Sequence, residues 1–221
     1  MTAPRLSAAD LDAEVQIVHV DAALIVVDKP TGLLSVPGRG AEKQDCVATR
    51  VRALHADALV VHRLDMATSG LMLLARGAAR QRQLSLAFAQ REIGKRYIAV
   101  VAGLMAADSG EIDLPLLIDW PNRPLQRVDR EHGKPSLTRY RVLSHDSAAN
   151  TSRVELEPVT GRTHQLRVHL LAIGHPIVGD ALYAPPIILA GAGRLLLHAT
   201  SIRLQHPATG SMLQFSSEPP F

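Results

Sequence analysis

The stretch VHRLDMATSGLMLLA, residues 61–75, places one carboxylate, Asp65, between two apolar parts of the chain. Arg63 precedes it by two positions, and a turn-forming Thr-Ser-Gly sequence follows it. The run LMLLA comes next and has the length and apolar character of a buried β-strand. A charged residue between two buried segments has to be paired, exposed to solvent or used in chemistry. The stretch therefore predicts a strand preceded by a loop that carries a candidate functional carboxylate.

Outward from this stretch, strand patterns predominate. Strands are predicted for VQIVHV, ALIVVD, KRYIAVVAG, LTRYRVLSH, SRVELEPV, RLLLHATSIRL and SMLQFSS, with LTRYRVLSH and SRVELEPV as antiparallel neighbours. Helices are predicted over residues 45–55, over 78–94 with Gly94 as the terminator, and over 163–174, closed by Gly174. Many strands, few helices and no strict βαβ alternation indicate an α+β fold, with a central mixed or antiparallel sheet flanked by helices. We expect the active-site cleft on this sheet.

Length and composition predict one soluble domain. The chain has 221 residues, of which 47% are hydrophobic, so it can bury a core of its own. We expect a single domain over residues 15–221 after an N-terminal extension over residues 1–14. The one cysteine, Cys46, cannot form an intramolecular disulfide, and no apolar run approaches the roughly 20 residues of a membrane span. These features predict a cytoplasmic protein.

Positive charge is concentrated in two segments, although the formal net charge is only +3. Residues 76–96 contain six basic residues and one acidic residue, and residues 123–141 contain six basic and two acidic residues. Residues 1–28, in contrast, contain one arginine and five acidic residues. The two basic segments predict a phosphate-rich partner such as nucleic acid; an ordinary solvated surface is the alternative.

Common nucleotide-binding and metal-binding motifs are absent from the sequence. It has no Walker A loop, no G-x-G-x-x-G after a strand, no G-x-S-x-G elbow and no cysteine pair. His164 and His169 are five positions apart, not the four of a metal-binding helix. We therefore expect neither a metal site nor a bound cofactor.

A few polar residues in apolar surroundings are candidates for chemistry. Arg63 and Asp65 point to the same side if their segment is extended. Arg167, on the mostly apolar helix over residues 163–174, is a candidate cation partner for Asp65. Tyr97, within a β-branched strand, offers a phenol that can act as a weak base or as a stacking surface. Each of them alone also has an ordinary role, as a capping aspartate, a salt-bridging arginine or a core tyrosine.

Taken together, longer strings of the sequence resemble a known family. HRLDMATSG, DKPTGLLSVPG, GKRYIAVVAG, TGRTHQLRVHLLAIGHPIVGDALY and RLLLHA resemble, in order and spacing, the motifs of the RluA family of RNA pseudouridine synthases. The resemblance covers roughly residues 15–216. DWPNRP at 119–124 and GKP at 133–135 resemble the dual-specificity branch, which acts on rRNA and tRNA. Only about 14 residues precede the first predicted strand, so we expect no N-terminal S4-type RNA-binding domain, which many relatives carry.

The resemblance implies roles for individual residues. Asp65 matches the catalytic aspartate, and Arg63 matches the arginine implicated in flipping the target nucleotide and occupying its place. Tyr97 matches the tyrosine that stacks on the uracil and is proposed to remove the C5 proton. Arg167 matches the arginine that pairs with the aspartate.

Three further residues complete the candidate site. Leu197 matches an apolar residue that packs against the base, although the sequence does not settle which of Leu195 to Leu197 faces it. His62 and His164 are candidate substrate-binding residues, and packing or hydrogen bonding inside the protein is the more ordinary role of such histidines.

The chemistry of the family needs no cofactor. The N1–C1′ bond of a uridine breaks, the uracil turns, and C5 joins C1′. Asp65 can act as a nucleophile at the ribose or as the base for the 2′ proton, and the sequence leaves both open. The implied substrates are a 23S rRNA hairpin loop and the anticodon loop of some tRNAs, bound by a monomer. The alternatives are the same chemistry on another RNA position, an RNA-binding or RNA-folding protein, and N-ribosyl hydrolysis with release of uracil.

Overall fold

The computed structural model describes residues 14–221, which form two compact units. The first unit contains residues 14–95 and 198–220, and the second contains residues 96–197 and Phe221. The predicted N-terminal extension lies outside the described residues except for Glu14. That residues 15–221 act as a single domain stays a prediction.

Strands dominate both units. The described residues form β1 (Gln16–Val20), β2 (Leu24–Lys29), β3 (Ala58–Val60), β4 (Ser69–Arg76), β5 (Gly94–Ala102), β6 (Ser109–Asp113), β7 (Leu116–Ile118), β8 (Gln126–Val128), β9 (Leu137–Asp146), β10 (Thr151–Pro158), β11 (Leu197–Gln205) and β12 (Met212–Ser216). The helices are α1 (Val47–Leu54), α2 (Gly77–Ala89), α3 (Gln165–Ala172) and the short α4 (Pro186–Leu189). The predicted α+β class is confirmed. Within residues 14–221, no helix has both the length and the hydropathy needed to cross a membrane.

The sheet of the first unit is mixed and is built around β4. β4 pairs antiparallel with β2 and β3 and parallel with β11, while β1 pairs with β2 and β12 with β11. Where β4 and β11 meet, Gly70 has a φ of 108°, and a Cβ there would overlap the backbone of Ala199. Leu71, Leu73 and Leu84 lie in the hydrophobic core of this unit, so the run LMLLA is the buried strand that its composition predicts.

The sheet of the second unit is antiparallel. Its strands follow the order β5-β10-β9-β6, and β9 and β10 are antiparallel neighbours as predicted. β7 and β8 form a separate two-stranded hairpin, which the sequence analysis did not predict. The turn between them contains residues 119–125.

Both α2 and α3 end in a Schellman motif, in which a residue just after the helix takes the left-handed conformation. That residue is a glycine after α3 and an arginine after α2. α3 ends as predicted, because Gly174 adopts a φ of 85° and its N–H donates to Leu171 O at 2.9 Å. The prediction that α2 ends at Gly94 is wrong. Arg91 takes the left-handed conformation, with a φ of 63°, so the helix ends at Ala89 and Gly94 begins β5.

Candidate active site

The loop that carries Asp65 connects β3 to β4 in the first unit. Arg63 is exposed, Leu64 is buried and Asp65 is partly buried, an alternation typical of extended chain. The Thr68 N–H then donates to Asp65 O at 3.1 Å, which closes a turn immediately before β4. The structure thus holds Asp65 between an extended segment and a turn.

The side chain of Lys29 holds this loop in place by hydrogen bonds to its backbone. Its side chain is fully buried, and Nζ donates to Pro30 O at 2.8 Å, to Leu33 O at 2.7 Å and to Met66 O at 2.9 Å. A buried ammonium is tolerated only where acceptors surround it. Because Met66 directly follows Asp65, the ammonium group holds the backbone on one side of the candidate catalytic residue.

Two hydroxyl groups hold the same loop. Thr31 Oγ1 donates to Ala67 O at 2.8 Å. Ser35 Oγ donates to Leu64 O at 2.7 Å and accepts from Leu64 N at 3.1 Å. Together with Lys29, these side chains tie residues 29–35 to residues 64–67, on both sides of Asp65.

His62 anchors the beginning of the loop. Its Nε2 accepts the N–H of Leu73 at 2.9 Å, and its ring stacks on Phe88 with 4.4 Å between ring centroids. Burial, together with the positive charge of Lys95, lowers the pKa of His62 to about 3. Burial also lowers the pKa of Lys95 itself. At neutral pH His62 is therefore an uncharged ring, with its proton on Nδ1, that fixes the loop to β4.

A hydrogen-bonded relay lies at the start of β4. Ser69 Oγ is 2.9 Å from His198 Nδ1, His198 Nε2 is 3.0 Å from Ser217 Oγ, and Ser217 Oγ donates to Asp28 Oδ2. Because the Ser217 hydroxyl donates its hydrogen bond to Asp28 Oδ2, its oxygen accepts from His198 Nε2–H. His198 Nδ1 then accepts from Ser69. The relay joins β2, β4, β11 and the segment after β12.

In the second unit, Arg167 forms a buried ion pair. Arg167 Nε donates to Asp180 Oδ2 at 2.8 Å, and Nη2 donates to Oδ1 at 2.6 Å. The side chains are 4% and 1% exposed. Asp180 Oδ1 also accepts the N–H groups of Leu182 and Tyr183. This two-point pairing orients the guanidinium group of Arg167.

Tyr183 extends this network to His164. Its hydroxyl accepts the N–H of Gln126 at 2.9 Å and is hydrogen-bonded to His164 Nδ1 at 2.6 Å. The Cζ atom of Arg167 lies 5.1 Å from the centre of the Tyr183 ring. His164 stands directly before α3 with a φ of 54°, a left-handed conformation that is uncommon outside glycine.

The other two candidates of the second unit lie on strands. Tyr97 is partly buried on β5, opposite Leu156 of β10. Leu195 and Leu197 are 2% and 3% exposed, while Leu196 between them is only partly buried. The alternation indicates that Leu195 and Leu197 share one face of the chain.

The predicted site residues thus fall into two groups. The first unit contains His62, Arg63 and Asp65, and the second contains Tyr97, Arg167, His164 and Leu197. Arg167 was predicted as the partner of Asp65, and its buried pair with Asp180 is a contact that the sequence analysis did not predict.

The described residues offer no ready metal site. His169 is hydrogen-bonded through Nδ1 to Thr138 Oγ1 and through Nε2 to Leu114 O, each at 2.9 Å, and His164 is bonded to Tyr183. Within residues 14–221, no group of three or more His, Cys, Asp or Glu side chains is arranged to hold a metal ion. That the chemistry needs no cofactor stays a prediction.

Ion pairs neutralise part of the positive charge in the two basic segments. Acidic residues from elsewhere in the chain pair with four of these arginines: Asp57 with Arg76, Glu155 with Arg96 and Arg141, and Glu111 with Arg139. Other basic residues of the segments are exposed and form no ion pair with a described residue: Arg82, Arg91, Arg123, Arg130 and Lys134. The second set presents exposed positive charge to a phosphate-rich partner.

Sequence reasoning missed the residues that position the candidates. Lys29, Thr31, Ser35, Asp180 and Tyr183 all lie in strings that carry the family resemblance, yet no role was assigned to them. Lys29 had a usable signal, because it is a charged residue directly after the apolar run LIVV and one aspartate.

Comparisons with known proteins show the family of the chain. Residues 23–172 match the family model described as RNA pseudouridylate synthase. The chain is 51% identical to the dual-specificity RNA pseudouridine synthase RluA of Yersinia pestis over 93% of its own length and 99% of that protein. It is 50% identical to the protein of the same name from Escherichia coli K12, over 93% of each chain.

Solved structures give the same result at lower identity. The fold is similar to that of human RNA pseudouridylate synthase domain containing 1, with a TM-score of 0.76, 27% identity, and coverage of 98% of this chain and 87% of that one. It is also similar to human RNA pseudouridylate synthase domain containing 4, with a TM-score of 0.73, 27% identity, and coverage of 93% of this chain and 88% of that one.

Proposed function

The chain belongs to the RNA pseudouridylate synthase family, and we propose that it isomerises a specific uridine of an RNA stem-loop to pseudouridine. The observation that carries the proposal is an identity of about half to RluA enzymes over 93% of the chain. The enzyme is an isomerase that acts on RNA: the N1–C1′ bond breaks and a C5–C1′ bond forms, with no net gain or loss of atoms.

The proposed substrates are a 23S rRNA hairpin loop and the anticodon loop of some tRNAs. The relatives of about 50% identity are named dual-specificity enzymes, which supports two classes of RNA substrate. A base in a loop costs less to extract than a base in a helix, because fewer stacking and pairing contacts are lost. The enzyme is proposed to act as a monomer in the cytoplasm, where both RNAs occur.

Asp65 is the proposed catalytic carboxylate, acting at C1′ as a nucleophile or at the 2′ proton as a base. The anchored backbone on either side of it supports this role, because a reacting group has to be held in one geometry. Arg63, exposed two positions earlier, is proposed to take the place of the flipped nucleotide. His62, which holds the start of the same loop, is proposed to contact the bound RNA.

The second unit supplies the other proposed roles. Tyr97 stacks on the uracil and removes the C5 proton, Leu197 packs against the base, and Arg167 pairs with the catalytic carboxylate. Asp180 is a proposed positioning residue, because its two hydrogen bonds orient Arg167. His164 is proposed to contact the RNA backbone.

RNA with tritium at C5 of uridine tests the proposal, because C5 loses its hydrogen when it bonds to C1′. An anticodon stem-loop and a 23S rRNA hairpin are incubated separately with wild type, Asp65→Asn and Asp108→Asn. Asp108 is an exposed aspartate that forms no side-chain hydrogen bond or ion pair with a described residue, so it is a matched control. Wild type and Asp108→Asn should release tritium, and Asp65→Asn should be slower by at least about 100-fold while still binding RNA.

Other results would point to the alternatives. Release of free uracil would indicate N-ribosyl hydrolysis. Binding of both RNAs without tritium release from wild type would indicate an RNA-binding protein or a different target uridine.

A further inference from the structure

The only tryptophan of the chain, Trp120, lies at the tip of the β7–β8 hairpin and is 62% exposed. The guanidinium carbon of Arg123 lies 3.2 Å from the centre of its ring. Because the guanidinium group covers one face of the indole, the exposed area belongs to the ring edges and the opposite face. A large aromatic surface is thus left open to solvent next to a positive charge.

The tip that carries this pair is well defined by hydrogen bonds. The Asp119 N–H donates to Leu125 O at 2.9 Å, and the Asn122 N–H donates to Asp119 O at 3.1 Å. The side chain of Asn122 also donates to Asp119 Oδ2 at 2.9 Å. A turn held in this way loses little backbone conformational entropy when a partner binds at Trp120.

The base of the hairpin is fixed within the second unit. The N–H of Gln126 donates to the Tyr183 hydroxyl, which is hydrogen-bonded to His164. The base of the hairpin that carries Trp120 is therefore joined by hydrogen bonds to His164, the residue directly before α3.

Free positive charge follows the hairpin. Arg123 at the tip and Arg130 and Lys134 beyond β8 are exposed and form no ion pair with a described residue. Lys134 lies beside β7, because its backbone exchanges hydrogen bonds with Leu116 at 2.8 and 3.0 Å. An aromatic ring beside several cations suits a single-stranded nucleic acid, which carries anionic phosphates and flat, unpaired bases.

We propose that Trp120 and Arg123 form a stacking platform for an unpaired base of the substrate RNA. The base lies on the open face of the indole, and Arg123, Arg130 and Lys134 meet the neighbouring phosphates. Stacking on aromatic side chains and guanidinium planes is the usual way in which proteins hold splayed bases of single-stranded RNA. The proposal rests on the proposed function, since it names a binding surface for the same substrate.

Tryptophan fluorescence tests the platform directly, because all indole emission of this protein comes from Trp120. The anticodon stem-loop and a fully paired RNA duplex of equal length are titrated into the wild-type protein. We expect the stem-loop to quench the emission, since a stacked base quenches indole, and the duplex to quench it much less because its bases are paired.

Variants separate stacking from charge. Trp120→Ala should raise the Kd for the stem-loop about 5- to 150-fold, as loss of one base–aromatic stack does, and Trp120→Phe should restore part of the affinity. The matched control is Leu104→Ala, another exposed apolar residue of the same unit, which should bind as wild type does. Lys134→Gln should lower the slope of log affinity against log salt by about one, whereas Trp120→Ala should leave the slope unchanged.

The outcomes distinguish the platform from the proposed function. Normal turnover and binding by Trp120→Ala, without quenching of the wild-type emission, would overturn the platform and leave the function intact. Quenching by the stem-loop without tritium release from it or from the 23S rRNA hairpin would support the platform and overturn these two RNAs as substrates, and failure of the wild type to bind either the stem-loop or the duplex would overturn both proposals.

Discussion

Lys29 and Arg167 are both buried cations, and each is surrounded by hydrogen-bond acceptors. Lys29 is surrounded by three backbone carbonyls, whereas Arg167 is matched by the carboxylate of Asp180. Removing one partner of a buried ion pair leaves an uncompensated charge, which costs about 3–5 kcal/mol. Lys29 holds the loop that carries Asp65, and Asp180 orients the guanidinium group of Arg167.

His62 should make the stability of the protein depend on pH. Its pKa is about 3 in the folded state because of burial and the charge of Lys95, against about 6.5 in an unfolded chain. Between these values the unfolded chain carries a proton that the folded protein does not, so stability is lost as the pH falls from about 6.5 towards 3. The free energy of unfolding should fall by up to about 1.4 kcal/mol per pH unit from this residue.

Urea unfolding of wild type and His62→Gln at pH 7.0, 6.0 and 5.0 measures this effect. The variant should lose less stability than wild type over the range, because glutamine does not titrate. The control is His132→Gln, whose side chain is 70% exposed and which should follow the wild type. Parallel pH curves for wild type and His62→Gln would contradict the assignment of a neutral His62.

At the scale of elements, residues 29–35 and the loop that carries Asp65 behave as one unit of structure. Thr31→Val keeps the shape of the side chain but removes the hydroxyl that donates to Ala67 O. A carbonyl left without its donor in a buried site costs about 1–3 kcal/mol, so we expect a loss of that size in the free energy of unfolding. Turnover should fall with it, because the backbone beside Asp65 loses an anchor, while RNA affinity should change little.

Urea unfolding, hydrogen exchange of the Thr68 amide and tritium release measure these three effects. Thr209→Val is the matched control, since Thr209 is exposed in the same unit and its hydroxyl bonds only to the neighbouring Ser211. If Thr31→Val matched this control in turnover and in exchange, the anchoring role of Thr31 would be wrong.

These strands, helices and loops also show which features of the fold could be predicted from the sequence. Most strands and helices could be predicted because alternation, β-branching and periodicity are local features, whereas β3, β6, β7 and β8 were not predicted. The end of α2 could not, because an arginine takes the left-handed position that glycine usually takes. The contacts of Lys29, Thr31 and Ser35 join residues about 30 positions apart in the sequence, a separation that local patterns do not report.

For the whole molecule, the absence of a linker predicts one domain, while the structure divides the described residues into two compact units. The chain passes between the units within two strands, after Lys95 in β5 and after Leu197 in β11, and once more at its last residue, Phe221. Each of these strands therefore contributes residues to both units. Residue patterns identify the strands but give no boundary inside them, which explains why the division was not predicted from the sequence.

This connectivity leads to a prediction about unfolding. If one unit unfolds, the other loses the order of the strand residues that continue into it, so both should unfold in a single transition. The tryptophan and the three tyrosines, Tyr97, Tyr140 and Tyr183, all belong to the second unit, so their fluorescence reports on that unit alone. Far-UV circular dichroism reports on both units, and the two signals should give one urea midpoint.

A variant with its tryptophan in the first unit completes the test of a single unfolding transition. In Trp120→Phe combined with Leu86→Trp, the tryptophan lies on an exposed position of α2 in the first unit. Its urea midpoint should equal the one that far-UV circular dichroism gives for the same variant, because the two units lose their structure together. Separate midpoints for the two tryptophan positions, each measured against circular dichroism, would mean that the units unfold independently and that residues 15–221 are two domains rather than one.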